Sequence, residues 1–203
     1  STFVQDRIND RIGLVVYAGE SYTRTPVTSD KTIILQSLKT IEYDDSIIAD
    51  GTGIGVGLAT AINRIKDSKA KSRIIILLTD GVNNSGTIDP RTASEIAKEY
   101  GIKVYTIGIG TNGQAMFPVA KDANGKLVFR MMPVEIDEKL MKEIAKATDA
   151  KYFRATSNKK LQAIYDEINK LETTEIQEKK FYNYDEKYKP FVLIAFVLLG
   201  VEV

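Results

Sequence analysis

The chain has 203 residues, with 28 Lys plus Arg against 27 Asp plus Glu, and a formal net charge of +1 offers nothing to attract a polyanion such as nucleic acid. It contains no His and no Cys, which removes Ser-His-Asp and Cys-His catalysis and any zinc site built on nitrogen or sulfur. Any metal must therefore be held by oxygen, and the length suits one full-sized domain with a short extension.

Ile12 to Ala18 reads as the first strand, announced by a polar turn at Asn9-Asp10. A helix follows with Ile33, Ile34, Ser37, Leu38 and Ile41 at helical spacing and Ser29 or Asp30 as N-cap. After an acidic loop at Asp44-Asp45, read as solvated, Ile54, Leu58, Ala61, Ile62 and Ile65 form a second apolar stripe. Ile74 to Leu78 is an unbroken aliphatic run ending in Thr79-Asp80-Gly81, which predicts a strand buried on both faces, as in a parallel sheet. Asp89-Pro90 opens a helix through Ala93, Ile96, Ala97 and Tyr100, stopped at Gly101, and Ile102 to Gly108 is the next strand.

Ala115 to Val119 and Lys126 to Met131 flank Asp122-Ala-Asn124-Gly125, a turn signal that predicts an inserted β-hairpin. A helix through Leu140, Met141, Ile144 and Ala145 capped by Asp137, a strand at Lys151 to Arg154 and a helix through Leu161 to Leu171 complete the alternation. The pattern predicts an α/β, doubly wound, mostly parallel sheet with helices on both faces. It divides the chain into a domain over 1–172, a charged and aromatic linker over 173–189 and an apolar stretch over 190–203. Phe191 to Val201 is shorter than a full membrane span but reads as the start of one, because Tyr and Lys just before it suit a membrane–water interface.

The chemistry collects at two loops. Asp80 stands at the carboxyl end of a buried strand, where open α/β sheets place their ligands. Asp50-Gly-Thr52-Gly-Ile-Gly55 opens the helix about thirty residues earlier. A carboxylate at Asp80 and a hydroxyl at Thr52, with no softer ligand available, suit a hard divalent cation such as Mg2+. The glycines fit neither a dinucleotide fingerprint nor a Walker motif, so they read as a tight turn and close helix packing rather than a phosphate cradle. A Mg2+-dependent phosphoryl-transfer enzyme using Asp80 as nucleophile is a rival reading, as is a metal-free structural module. Against the enzyme, a haloacid-dehalogenase-like site wants a second acid at position 82, which is Val82, and no His exists to serve as a proton carrier.

Asp50-Gly-Thr-Gly-Ile-Gly, Leu77-Leu-Thr-Asp-Gly-Val-Asn-Asn84 and Val104-Tyr-Thr-Ile-Gly-Ile-Gly110 together resemble the von Willebrand factor A domain. Ile12 to Ser21, Thr25 to Asp30, Met132 to Leu140 and Lys151 to Arg154 resemble its bacterial aerotolerance-operon branch, of the BatA type. The resemblance implies a metal-ion-dependent adhesion site in which Thr52 matches the family's second loop and Asp80 its third. The family's first loop, Asp-x-Ser-x-Ser, occurs nowhere in this sequence, so little or no bound metal is expected for the chain as it stands. What the resemblance implies further is a non-enzymatic protein-interaction module, membrane-anchored, facing the periplasm from a bacterial inner membrane. Its implied partners are envelope proteins from the same operon, bound through a carboxylate that completes the Mg2+ shell. Because the missing loop follows the family's central strand, the apolar tail from Phe191 to Val203 is expected to fill that slot or pair with another molecule's edge.

Overall fold

The computed structural model describes residues 2–7, 9–41, 50–110, 113–121, 127–134 and 136–178. A short helix, α1 (Thr2–Asp6), leads into β1 (Ile12–Tyr17) and β2 (Ser21–Thr28), which pair antiparallel. β2 was not expected from the sequence. Its run Ser-Tyr-Thr-Arg-Thr-Pro-Val-Thr contains Pro26, which lacks a backbone donor and argues against a central strand; it is tolerated here because, among the described residues, β2 has a neighbour on one side only. Helix α2 (Lys31–Lys39) is started by Asp30, whose carboxylate accepts the N–H groups of Thr32 at 2.8 Å and Ile33 at 3.4 Å. Of its apolar stripe Ile34 is buried, whereas Ile33 and Leu38, with Ile41 just beyond the helix, are exposed.

Helix α3 (Ile54–Ile65) precedes β3 (Ile74–Thr79), α4 (Pro90–Glu99) and β4 (Lys103–Ile109). β5 (Gly113–Lys121) and β6 (Leu127–Val134) form the expected antiparallel hairpin, whose turn lies outside the described residues. Helix α5 (Glu138–Ala147), β7 (Tyr152–Ala155) and α6 (Asn158–Glu178) follow. β3, β4 and β7 run parallel in that order, with Ile74 opposite Lys103 and Thr106 opposite Tyr152. The alternation of strand and helix thus gives the expected α/β architecture.

The core lies between this parallel sheet and helices α3, α4 and α5, where Ile54, Leu58 and Ile62 meet Ile75, Leu77, Ala93, Val104, Met141 and Ile144. Burial along β3 alternates. Ile75, Leu77 and Thr79 are buried while Ile74, Ile76 and Leu78 are half-buried, so neither face of the strand is exposed and one is covered more fully than the other. α1 and α6 meet through stacked rings of Phe3 and Tyr165, 4.5 Å apart, and through Arg7 Nε, which donates to Asn169 Oδ1 at 2.7 Å.

Among the described residues the strands form separate sheets rather than one: β1 with β2, β3 with β4 and β7, and β5 with β6. β1 and β3 are joined instead by a side chain, since Tyr17 Oη donates to the carbonyl of Leu78 at 2.6 Å. The chain divides into two compact units, Ser1–Lys170 and Leu171–Val203. Of the second, residues 171–178 are helical, and 179–203 lie outside the described residues. The expectations of a membrane helix or a slot-filling strand at Phe191 to Val203 therefore fall outside what is described, as does the Asp44-Asp45 loop. Among the described residues no helix is long and apolar enough to cross a membrane.

Candidate metal centre

β3 delivers Asp80 directly. Its last residue, Thr79, accepts the N–H of Gly81 through Oγ1 at 3.2 Å, so the chain turns at once and leaves Asp80 exposed at the strand end. The second loop is shaped by Gly51, whose φ of +121° is one that residues with a Cβ rarely adopt. Asp50 Oδ1 accepts the N–H of Gly51 at 2.8 Å. Gly53 N–H donates to the carbonyl of Ala18, just past β1, and α3 begins at the next residue. The loop is thereby anchored to the end of one strand while it faces the end of another.

Three hydrogen bonds close the distance between the loops. Asn84 Oδ1 accepts the Thr52 N–H at 2.7 Å, and the Asn84 N–H donates to the Thr52 carbonyl at 3.1 Å. Asn83 Oδ1 accepts the N–H of Ile54 at 2.8 Å. A Cβ placed on Gly81 would lie 3.2 Å from Thr52 Oγ1, so the Thr52 hydroxyl sits against the residue that follows Asp80. Both expected ligands line one open cleft of about 430 Å³, bounded by Leu14–Tyr17 of β1, Leu78–Asp80, Gly51, Thr52 and Ile41. The structure thus places Thr52 and Asp80 on the lining of the same cleft. Asn83, Asn84 and Tyr17 were missed in the sequence reading; the Asn pair directly after Asp-Gly-Val was the available signal.

Tyr17 closes one wall of this cleft. Burial pushes its phenol up from 10.0 to about 12, a hydrogen bond with Thr79 works the other way, and the negative charge of Asp80 adds to the rise. Between pH 10 and 12 the unfolded chain gives up this proton while the folded chain keeps it, so stability falls as pH rises through that window. The loss amounts to roughly 2–3 kcal/mol over the full window. Tyr17→Phe should cost about 1 kcal/mol at neutral pH through the lost bond to Leu78, and its denaturation midpoint should fall less steeply above pH 10. Equal alkaline slopes in the two proteins would contradict the assignment.

The donor set is a hydroxyl and a carboxylate, both hard oxygens of the kind Mg2+ prefers. Among the described residues no group of three or more acidic side chains that could hold a metal ion is present. Two protein oxygens fit an ion that keeps several of its waters or takes a further ligand from elsewhere.

A model of the von Willebrand factor type A domain matches residues 1–167. An uncharacterized protein of Borreliella burgdorferi is 30% identical over 200 residues, covering 98% of this chain but 58% of its own length, so the chain spans under two thirds of that relative. Among solved structures, the conserved hypothetical protein BatB of Bacteroides thetaiotaomicron is 31% identical with a TM-score of 0.67, over 85% of this chain and 84% of that one. An aerotolerance-related membrane protein of Bacteroides fragilis is 28% identical with a TM-score of 0.65, over 83% of each chain. A parallel sheet ending in Asp80, a Thr52 loop tied to it and a family match over most of the sequence agree: the chain belongs to the von Willebrand factor type A domain family.

Proposed function

We propose that this domain is a non-enzymatic protein-interaction module of a membrane-anchored, BatA-like protein, and that it binds a partner's carboxylate through a Mg2+ adhesion site. One observation carries the reading: Thr52 and Asp80, 28 positions apart in sequence, are held at the mouth of one cleft by bonds between their loops. Thr52 would offer its hydroxyl to the ion, and Asp80 would hold the ion or one of its waters through negative charge. When bound, the cation supplies a point of positive charge with an open coordination position that an Asp or Glu side chain can complete. Similarity to an aerotolerance-related membrane protein supports membrane association; envelope proteins of the same operon as partners, and a place on the periplasmic side of the inner membrane, are part of the proposal.

The phosphoryl-transfer alternative finds less support. Position 82, two residues beyond Asp80, is Val, and the sequence has no His to carry a proton. Full-length protein should capture same-operon envelope proteins in Mg2+ and release them on chelation, with retention falling at least about tenfold. Capture that is indifferent to chelation would reject the metal-dependent mechanism. Turnover of p-nitrophenyl phosphate that requires Mg2+ and disappears in Asp80→Asn would favour the enzyme instead.

A further inference from the structure

We propose that Asn84, assisted by Asn83, is the positioning residue that sets Thr52 against Asp80 and so determines how well the site holds a cation. The inference rests on the reading of Thr52 and Asp80 as a cation site.

Asn84 grips both backbone polar groups of one residue. Its side-chain oxygen accepts the Thr52 N–H at 2.7 Å and its own N–H donates to the Thr52 carbonyl at 3.1 Å. Two bonds on opposite sides of one Cα fix the rotation of that residue as well as its distance, which a single bond would not. Asn83 secures the next step. Its oxygen accepts the N–H of Ile54, the first residue of α3, at 2.8 Å. The N-cap of that helix is Gly53, which has no side chain to do this. Thr52 is therefore held from the Asp80 loop directly and through the start of its own helix.

The residue types fit this task. Both side-chain partners are N–H donors, so the amide oxygen of each Asn must face them. An Asp could make the same bonds but would add negative charge beside Asp80, whereas Asn supplies the acceptor and leaves the charge at Asp80. Gly81 completes the arrangement by letting the backbone after Asp80 pass the Thr52 hydroxyl, where a Cβ would stand 3.2 Å away. Groups that orient a metal's ligands from behind commonly change affinity by about 10–100-fold when removed.

The test compares wild type, Asn84→Ala, Asn84→Asp and Asp80→Ala in the full-length protein. Mn2+ alone serves as the probe, and amide hydrogen exchange at Thr52 as a metal-free readout. Asn84→Ala should weaken Mn2+ at least about tenfold and speed Thr52 exchange by a similar factor, while core amides such as Val104 keep their protection. Asn84→Asp keeps the acceptor, so it should restore Thr52 protection and bind Mn2+ at least as tightly as wild type. Wild-type affinity in Asn84→Ala, with binding absent in Asp80→Ala, would overturn the positioning role and leave the cation site standing. Weak binding by Asn84→Asp despite restored protection would also overturn it. Absence of Mn2+ binding in wild type would overturn both readings together.

Discussion

Replacing Gly55 with alanine is expected to destabilise the domain by about 3 kcal/mol, measured as a shift in denaturation midpoint. Helix propensity alone predicts the opposite sign, because alanine in a helix is favoured over glycine by about 1 kcal/mol. Packing decides. A Cβ on Gly55 would stand 1.9 Å from the carbonyl oxygen of Ile88, 2.8 Å from its carbon and 3.0 Å from the carbonyl carbon of Asp89. These obstacles are backbone, so no side chain can swing aside.

Relief would require moving the start of α4, which is fixed by Asp89 accepting the N–H groups of Arg91 at 2.9 Å and Thr92 at 3.0 Å. α3 and α4 both pack into the core, through Ile54 and Leu58 on one and Ala93 and Ala97 on the other, so the shift would spread. Gly57→Ala meets the Tyr17 ring, with Cγ at 2.7 Å, and should cost about 2 kcal/mol. Unchanged or raised stability in Gly55→Ala would show that α3 does not approach the Ile88 backbone so closely.

Asp80→Ala should weaken Mg2+-dependent partner capture by the full-length protein at least about 100-fold, equivalent to roughly 3 kcal/mol. Thr52→Ala should weaken it about tenfold, because a water can replace a neutral hydroxyl but not the charge of a carboxylate. Neither change should move the unfolding midpoint by more than about 0.5 kcal/mol in stability. Asp80 is exposed, and Thr52 is held through its backbone by Asn84, which the substitution leaves intact. Loss of capture with preserved folding is the signature of a site. Comparable destabilisation and loss of capture would instead mark these positions as structural.

Much of this was legible because local chemistry and tertiary context agreed. The aliphatic run before Asp80 became β3, Asp30, Asp89 and Asp137 cap the three helices they announced, and the hairpin straddles its expected turn. β2 was hidden by Pro26 and by the lack of an apolar run, since a strand with one neighbour needs fewer backbone donors and less apolar character than a central one. The spacing of Ile33, Leu38 and Ile41 identified one side of α2 but could not say what covers it, and all three are exposed. The division between β1 and β3, bridged by Tyr17, depends on which strands become neighbours and leaves no periodic trace. The same holds for Asn84 and Asn83, whose partners lie 32 and 29 residues away in sequence.

The central claim is that Thr52 and Asp80 hold a hard divalent cation, and Mn2+ titration of the full-length protein by electron paramagnetic resonance tests it most directly. The free-ion signal should show one Mn2+ taken up per chain, released by excess Mg2+, weakened in Thr52→Ala and abolished in Asp80→Ala. Uptake identical in wild type and Asp80→Ala would contradict the account.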